Sequence, residues 1–361
     1  MKPLENFYFR YMFQIFENKK IIITGHTGFK GSWLTAFLST YNCKIYGVSK
    51  DIPTNPSHFK LLKLKKNIKT FKADIRDLTL LRKIFKKVQP DFVFHLAAQA
   101  LVKNSYQNPD STFTSNSIGT LNILESLRSL KKKCTTIMIT SDKSYKNLEI
   151  KRGYREDDLI GGEDPYSASK ACAELIIQSY VNSYFKNNKN ILIAVGRAGN
   201  VIGGGDWSKD RLIPDCFKSW SKGRSSIIRN PYSTRPWQHV LEVVHGYMLL
   251  AKKLSKNSKL HGQVFNFGPS YKKNYKVIEI LKYFKPLWKK CKWKINISKT
   301  YQKESILLKL NSSKANNILK WKTKLNLKET LIYTLDWYKN YYSNKSKLIT
   351  FEQINKYKRL K

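Results

Sequence analysis

Four residues suited to an extended backbone, Ile21-Ile22-Ile23-Thr24, run straight into Gly25-His26-Thr27-Gly28-Phe29-Lys30-Gly31, and a helical pattern follows. This order of strand, glycine turn and helix constrains the fold more than any other feature of the chain. A short uninterrupted apolar run is a strand buried on both faces. Gly25 permits the tight turn, Gly28 lets backbone approach a pyrophosphate, and Gly31 lets the helix pack closely on the strand. Phosphates then face the free N–H groups of a helix N-terminus. Because the spacing is G-x-x-G-x-x-G and not G-x-G-x-x-G, a plain surface turn is the alternative when the segment is read alone.

The alternation continues downstream. Strands are expected over 44–48, 68–73, 91–96, 136–140 and 191–195, and helices over 32–41, 78–88, 118–130 and 168–184. Repeated β-α-β units imply an α/β fold with a doubly wound parallel sheet of Rossmann type, its ligands at the carboxyl ends of the strands. Beyond Gly196 the pattern turns irregular, and Val264 to Phe267 reads as one further sheet strand. The chain therefore divides into an N-terminal extension (1–18), a dinucleotide-binding domain (19–196, with 236–269 returning to it), a smaller C-terminal substrate-binding lobe (197–235 and 270–340) and a basic polar tail (341–361) expected to pack loosely.

Composition excludes several classes. Net charge is +42, yet 55 of the 67 cations are Lys and only 12 are Arg, the residue preferred for bidentate phosphate contacts. The lysines are spread along the chain, so they read as solvated faces and no nucleic-acid partner is expected. No apolar stretch reaches 18 residues, which excludes a spanning helix, and no membrane partner is expected. Five cysteines, odd in number and without a C-x-x-C pair, argue against disulfides or a metal site and for a reducing, cytoplasmic setting.

Other candidate residues lie at strand ends. Asp74, followed by Ile75, either accepts from an adenine amino group or caps the helix that begins near Leu78. After His95, to which no role is given, the small residues Ala97 and Ala98, with Gln99, let a cofactor lie against backbone. Tyr166 and Lys170 stand at helical i, i+4 spacing, so the ammonium flanks the phenol and favours phenolate, as a general base requires. They follow a strand that ends in Thr140-Ser141-Asp142-Lys143. Among few arginines, Arg211, Arg229 and Arg235 cluster in the lobe, which points to bidentate contact with a diphosphate or to surface salt bridges.

Several longer runs carry a resemblance: Thr24–Leu34, Thr140–Lys143 with Tyr145, Asp164–Ser167, Arg197–Trp207, Asp210–Asp215, Arg229–Tyr232 and Arg235–Val240. With them the chain resembles the extended short-chain dehydrogenase/reductase superfamily from about residue 19 to 340, and within it the 4,6-dehydratases of nucleotide sugars. The pairing Asp142-Lys143, where most such dehydratases carry Asp-Glu, matches the branch that acts on CDP-glucose.

The resemblance implies NAD as cofactor, held by Gly25, Thr27, Gly28, Phe29, Lys30, Gly31, Asp74, Ile75, Ala97, Ala98, Gln99, Asn116, Tyr166 and Lys170. It implies redox-neutral dehydration of CDP-glucose, or 4,6-dehydration or 4-epimerisation of another nucleotide sugar, in a route to surface polysaccharide. Catalytic roles fall on Tyr166 as base toward the C4 hydroxyl, Lys170 on the nicotinamide ribose, Ser141 on the C4 oxygen, Asp142 as acid and Lys143 as the C5 base. An ordinary lysine at about 10.4 is protonated at pH 7, so that last role requires a depressed lysine, with Tyr145 as the alternative base. Asn200, Arg211, Arg229 and Arg235 would bind the substrate, and relatives imply a homodimer or homotetramer paired through the 118–130 and 168–184 helices.

Overall fold

The structure, a computed structural model, describes residues 12–64, 68–269, 275–296, 308–343 and 348–360. Seven strands form the central sheet: β1 (Lys20–Thr24), β2 (Lys44–Ser49), β3 (Ile68–Lys72), β4 (Phe92–His95), β5 (Cys134–Ile139), β6 (Ile191–Ala198) and β7 (Val264–Phe267). All neighbours are parallel, in the order β7-β6-β5-β4-β1-β2-β3. The order reverses at β1 and β4, whose connections leave in opposite directions and open a crevice at their carboxyl ends. The fold is the doubly wound α/β arrangement that the alternation predicts.

The longer helices among the described residues are α1 (Phe29–Leu38), α2 (Leu78–Val88), α3 (Gly119–Arg128), α4 (Pro165–Tyr180), α5 (Leu212–Ser221), α6 (Val240–Lys256), α7 (Val277–Phe284), α8 (Leu327–Ser343) and α9 (Thr350–Arg359). On one sheet face, α2 buries Leu81, Ile84, Phe85 and Val88, the spacing of a single helical stripe, beside Ile123, Leu124 and Leu127 of α3 and Ile177 of α4. The other face packs Trp33 and Phe37 of α1 against Val243, Val244 and Tyr247 of α6. That apolar cluster continues into the lobe through Phe217, Phe284, Trp337 and Tyr338, so the lobe is joined to the sheet by shared core.

Sequence and structure part at several elements. Helix α1 begins at Phe29, three residues before the expected Ser32, because its first turn is the end of the glycine loop. α3 is preceded without interruption by Pro109–Phe113 and a wide turn over Thr114–Ile118, so the helical path starts nine residues before 118. Pro109 at the first helical position and Asp110 in the first turn are the start signal. Likewise α4 begins at Pro165, capped by the Asp164 side chain on Ser167 N, and not at Ala168. The segment read as irregular beyond Gly196 holds α5 and α6 as well as short strand pairs.

The described residues toward both chain ends are better packed than expected. Phe13 and Phe16 are fully buried against the sheet, so 12–18 belongs to the core, while 1–11 of the expected extension lies outside the described residues. In the tail, α9 buries Ile354 and Tyr357, and its Thr350 hydroxyl bonds His58 Nε2 at 2.9 Å. The lobe segments 270–274 and 297–307 and the tail residues 344–347 and 361 also lie outside the described residues. No described helix is long and apolar enough to cross a membrane.

Candidate active site

The glycine loop turns exactly where the crevice opens. Gly25 has φ +72°, and a Cβ there would come 2.7 Å from Ala97 N on the end of β4. A Cβ on Gly31 would meet Gly25 O at 2.1 Å, so that glycine is needed for packing within the loop. Gly28 differs: a Cβ would meet nothing nearer than Gly25 O at 3.4 Å. Its small size is demanded by no protein neighbour and leaves a cradle in front of α1, whose N-cap Gly28 supplies no capping side chain. The unsatisfied N–H groups of that first turn suit a pyrophosphate, and the residues present fit a dinucleotide.

The other residues assigned to the cofactor are spread along this crevice. The Thr27 hydroxyl donates to Asp51 O at 2.8 Å and ties the loop to the end of β2. Asp74 does not cap α2, a task that Asp77 performs. It is instead clamped by Arg76, whose Nη2 lies 2.7 Å from its Oδ2 and holds its pKa below the usual carboxylate value. Ile75 is buried against Gly119, where a Cβ would lie 2.5 Å from Ile75 Cδ1. Asn116 binds the Gln99 backbone at both ends, accepting from Gln99 N at 2.8 Å and donating to Gln99 O at 3.1 Å, and also donates to Ser169 Oγ at 2.8 Å. It thereby fixes the 97–99 turn to α4. His26 is buried and neutral, pushed down to about 4 by burial, between Ser49 Oγ and Thr70 Oγ1.

At the carboxyl end of β5 the chain turns through Ser141 and a short helical turn over Asp142–Ser144, opposite the start of α4. Tyr166 is buried, and burial raises its pKa; Ser141 and Arg211 pull it back down. Asp142 and Asp164 add to the rise, so the pKa stays above that of an ordinary tyrosine. Lys170 is buried too, and burial pushes it down to about 8, helped by Lys30 and opposed by Glu174. Lys30 also falls to about 8, by burial and then by Arg211, with Asp142 and Asp206 acting against it.

Asp142 is the group most suited to hold a proton. Burial raises its pKa against Lys143, Ser141, Lys30 and Arg235. Its Oδ1 accepts from Ser141 Oγ at 3.0 Å, while Oδ2 is buried without a partner among the described residues. Gly199 makes room for that oxygen, since a Cβ there would stand 2.8 Å from it. Lys143 follows on the same turn, its N–H bonded to Ser141 Oγ at 3.2 Å. Tyr145 is less suited as a second candidate base, because its buried hydroxyl is committed to donating to Asn266 Oδ1 at 2.9 Å.

The lobe supplies the arginines. Arg211 is paired with Asp206 at 3.0 Å and acts on both Tyr166 and Lys30. Arg235 acts on Asp142 from the opposite wall, and Asn200 lies nearby, its carbonyl accepting from Gln238 N at 3.4 Å. Arg229 stands further out, 3.2 Å from Asp210 at the exposed rim, beside Lys103. The sequence reading missed Asp206, Glu174 and Arg197. Glu174 could have been found four residues beyond Lys170, on the same helix face. No group of His, Cys, Asp or Glu among the described residues is arranged to hold a metal.

Comparison with known proteins places this architecture. The family described as GDP-mannose 4,6 dehydratase matches residues 22–334. The chain is 41% identical to CDP-glucose 4,6-dehydratase of Salmonella typhimurium, over 92% of this chain and 94% of that protein. Among solved structures it is similar to epimerase Mth375 of Methanothermobacter thermautotrophicus, with TM-score 0.81, 24% identity and coverage of 96% and 97%. It is also similar to dTDP-glucose 4,6-dehydratase of Bacillus anthracis, solved in complex with NAD, with TM-score 0.73, 21% identity and coverage of 91% and 98%.

Proposed function

The chain belongs to the GDP-mannose 4,6-dehydratase family, and from that premise we propose that it is an NAD-dependent hydro-lyase converting CDP-glucose to CDP-4-dehydro-6-deoxyglucose. The observation that carries this reading is Asp142. A buried carboxyl held toward its neutral form, with one oxygen unpartnered among the described residues, stands on the turn opposite the tyrosine base. A 4-epimerase needs the base but no acid for a leaving hydroxyl. The choice of cytidine rests on the 41% identical relative.

NAD, when bound, would supply the hydride acceptor for C4 and the hydride donor for C6. Gly25, Gly28 and the N–H groups of α1 would hold its pyrophosphate, Asp74 and Ile75 its adenine, and Lys170 its nicotinamide ribose. Tyr166 removes the C4 hydroxyl proton while Ser141 donates to the oxygen that becomes the ketone. That ketone acidifies C5–H, and Lys143 takes the proton and gives it back to C5 when C6 is reduced. Asp142 protonates the C6 hydroxyl, which leaves as water. Its burial makes the proton transfer more effective than it is in water. Arg211, Arg235 and Asn200 bind the diphosphate and sugar, and Arg229 closes the rim.

On this reading residues 19–196 with 236–269 serve the cofactor, and 197–235 with 270–340 serve the nucleotide sugar. Exposed Ile118, Leu175 and Tyr184, on and beside α3 and α4, support pairing of two copies through these helices. A cytoplasmic role in supplying deoxysugars to surface polysaccharide fits this activity. The test is incubation with CDP-, dTDP-, GDP- and UDP-sugars and detection of the 4-keto-6-deoxy product. Turnover of CDP-glucose is expected; turnover of dTDP-glucose alone would overturn the substrate assignment.

A further inference from the structure

Behind the reactive groups lies an ion pair that the mechanism does not use. Arg197 on β6 and Glu174 on α4 are each 1% exposed. Arg197 Nε lies 2.8 Å from Glu174 Oε1 and 2.9 Å from Oε2, and Nη2 also bonds Oε2. The Thr140 hydroxyl, at the end of β5, donates to Glu174 Oε1 at 2.7 Å. Arg197 Nη1 donates to Glu156 O at 3.2 Å, and its guanidinium stacks 4.4 Å over the Tyr145 ring. One carboxylate thus joins the strand end just before Ser141, the helix of Tyr166 and Lys170, and the neighbouring strand.

Such a pair is poor value as a source of stability. Two charges lose most of their hydration here, and apolar residues of equal volume often serve stability as well or better. What the pair supplies is geometry and charge. Glu174 is four residues beyond Lys170 on the same helix face, so its charge acts on that ammonium. Lys170 has no other carboxylate acting on it among the described residues; Lys30 of α1 opposes it, and His95 of β4 is neutral, pushed down to about 3.

We propose that Glu174 and Arg197 form the positioning device of the site: the pair locks the helix of Tyr166 and Lys170 to the strand end of Ser141, and Glu174 supplies the counter-charge for Lys170. The inference rests on the proposed reaction, in which Lys170 acts as an ammonium. Burial drives Lys170 toward its neutral form and Glu174 resists, so the ammonium survives only as far as about pH 8. Without the Glu174 charge it would be lost at lower pH, and the alkaline limb of the rate profile would move down with it.

The test is the pH dependence of single-turnover hydride transfer in the cofactor-loaded enzyme with CDP-glucose, read as absorbance of the reduced nicotinamide. Glu174→Gln keeps shape and removes charge; its alkaline limb should shift about one pH unit to the acid side. Glu174→Asp keeps the charge and should restore the limb even where the rate stays low. Thr140→Val breaks only the link to the strand, so it should lower kcat several-fold with the limb unmoved and little change in KM. It also keeps the test decisive if Glu174→Gln fails to fold. A Glu174→Gln profile scaled down uniformly, with no limb moved, would overturn the proposal, as would wild-type kcat in Thr140→Val. A wild type that does not turn over CDP-glucose would instead strike at the reaction on which the inference rests.

Discussion

The two walls of the cleft handle charge in opposite ways. On the sheet side, Tyr166, Lys170 and Asp142 are buried, and burial shifts each toward its neutral form. On the lobe side, Arg211 and Arg229 stay a third or more exposed in their side chains and rest against Asp206 and Asp210. The difference separates chemistry from recognition. Burial brings Lys170 and Asp142 closer to neutral pH, whereas it carries Tyr166 further above it and leaves Ser141 and Arg211 to oppose that rise. Anion recognition needs permanent cations that can exchange a protein carboxylate for a phosphate without a new burial cost.

The contrast can be broken most severely from the sheet side. Tyr166→Phe should cost about 10²–10⁴-fold in hydride transfer, with cofactor affinity nearly unchanged because the helix and loop are intact. A fluorescence titration with NADH alongside single-turnover absorbance checks both parts. Near-normal turnover would remove Tyr166 from the mechanism.

Next come the two groups on the turn after β5. Asp142→Asn and Lys143→Met should each stall at elimination, lowering turnover by about 10²-fold while reduced nicotinamide and 4-keto sugar accumulate. Solvent deuterium distinguishes them: exchange at C5 should vanish in Lys143→Met and survive in Asp142→Asn. Undiminished exchange without Lys143 would assign the C5 base elsewhere.

On the lobe wall the effects should be smaller and fall on binding. Arg211→Met removes charge-assisted bonds worth about 1.5–3 kcal/mol, so KM should rise at least tenfold with kcat less affected. Arg229→Met, at the exposed rim, should change KM by less than about fivefold, since such pairs are worth about 0–1 kcal/mol. Equal effects at the two positions would erase the graded wall.

The smallest expected effect is on stability. Lys30 titrates near 8 in the folded chain against its ordinary 10.5, so unfolding takes up a proton between those values. The stability this group contributes therefore rises with pH across that window, and its penalty is complete below about 8. Lys30→Met should be more stable than the wild type at pH 7, with an advantage that shrinks toward pH 10.5. Thermal unfolding at both pH values checks the sign.

How far the sequence revealed this depends on the range of each interaction. The glycine loop, the strand ends and the Tyr166–Lys170 spacing are local patterns, legible because one helix turn or strand end determines them. The direction of the Tyr166 shift was not legible, because it follows from burial by distant segments and from Arg211, 45 residues away in the chain. The Arg197–Glu174 pair was missed for the same reason: two strands and a helix must assemble before it exists. In α9, lysines mask the apolar stripe of Ile354 and Tyr357, so a packed helix looks like a solvated tail.

That terminal helix gives the molecule a clock. Lys358 Nζ bonds Thr40 Oγ1 across 318 residues of chain, and Tyr357 OH donates to Glu242 at 2.7 Å. At about 5–20 residues per second, the ribosome delivers α9 roughly 15–60 seconds after α1 has emerged. Over that interval the helix behind the glycine loop waits without the segment that covers it. The nascent chain is then exposed to chaperones, proteases and other nascent chains until synthesis reaches α9.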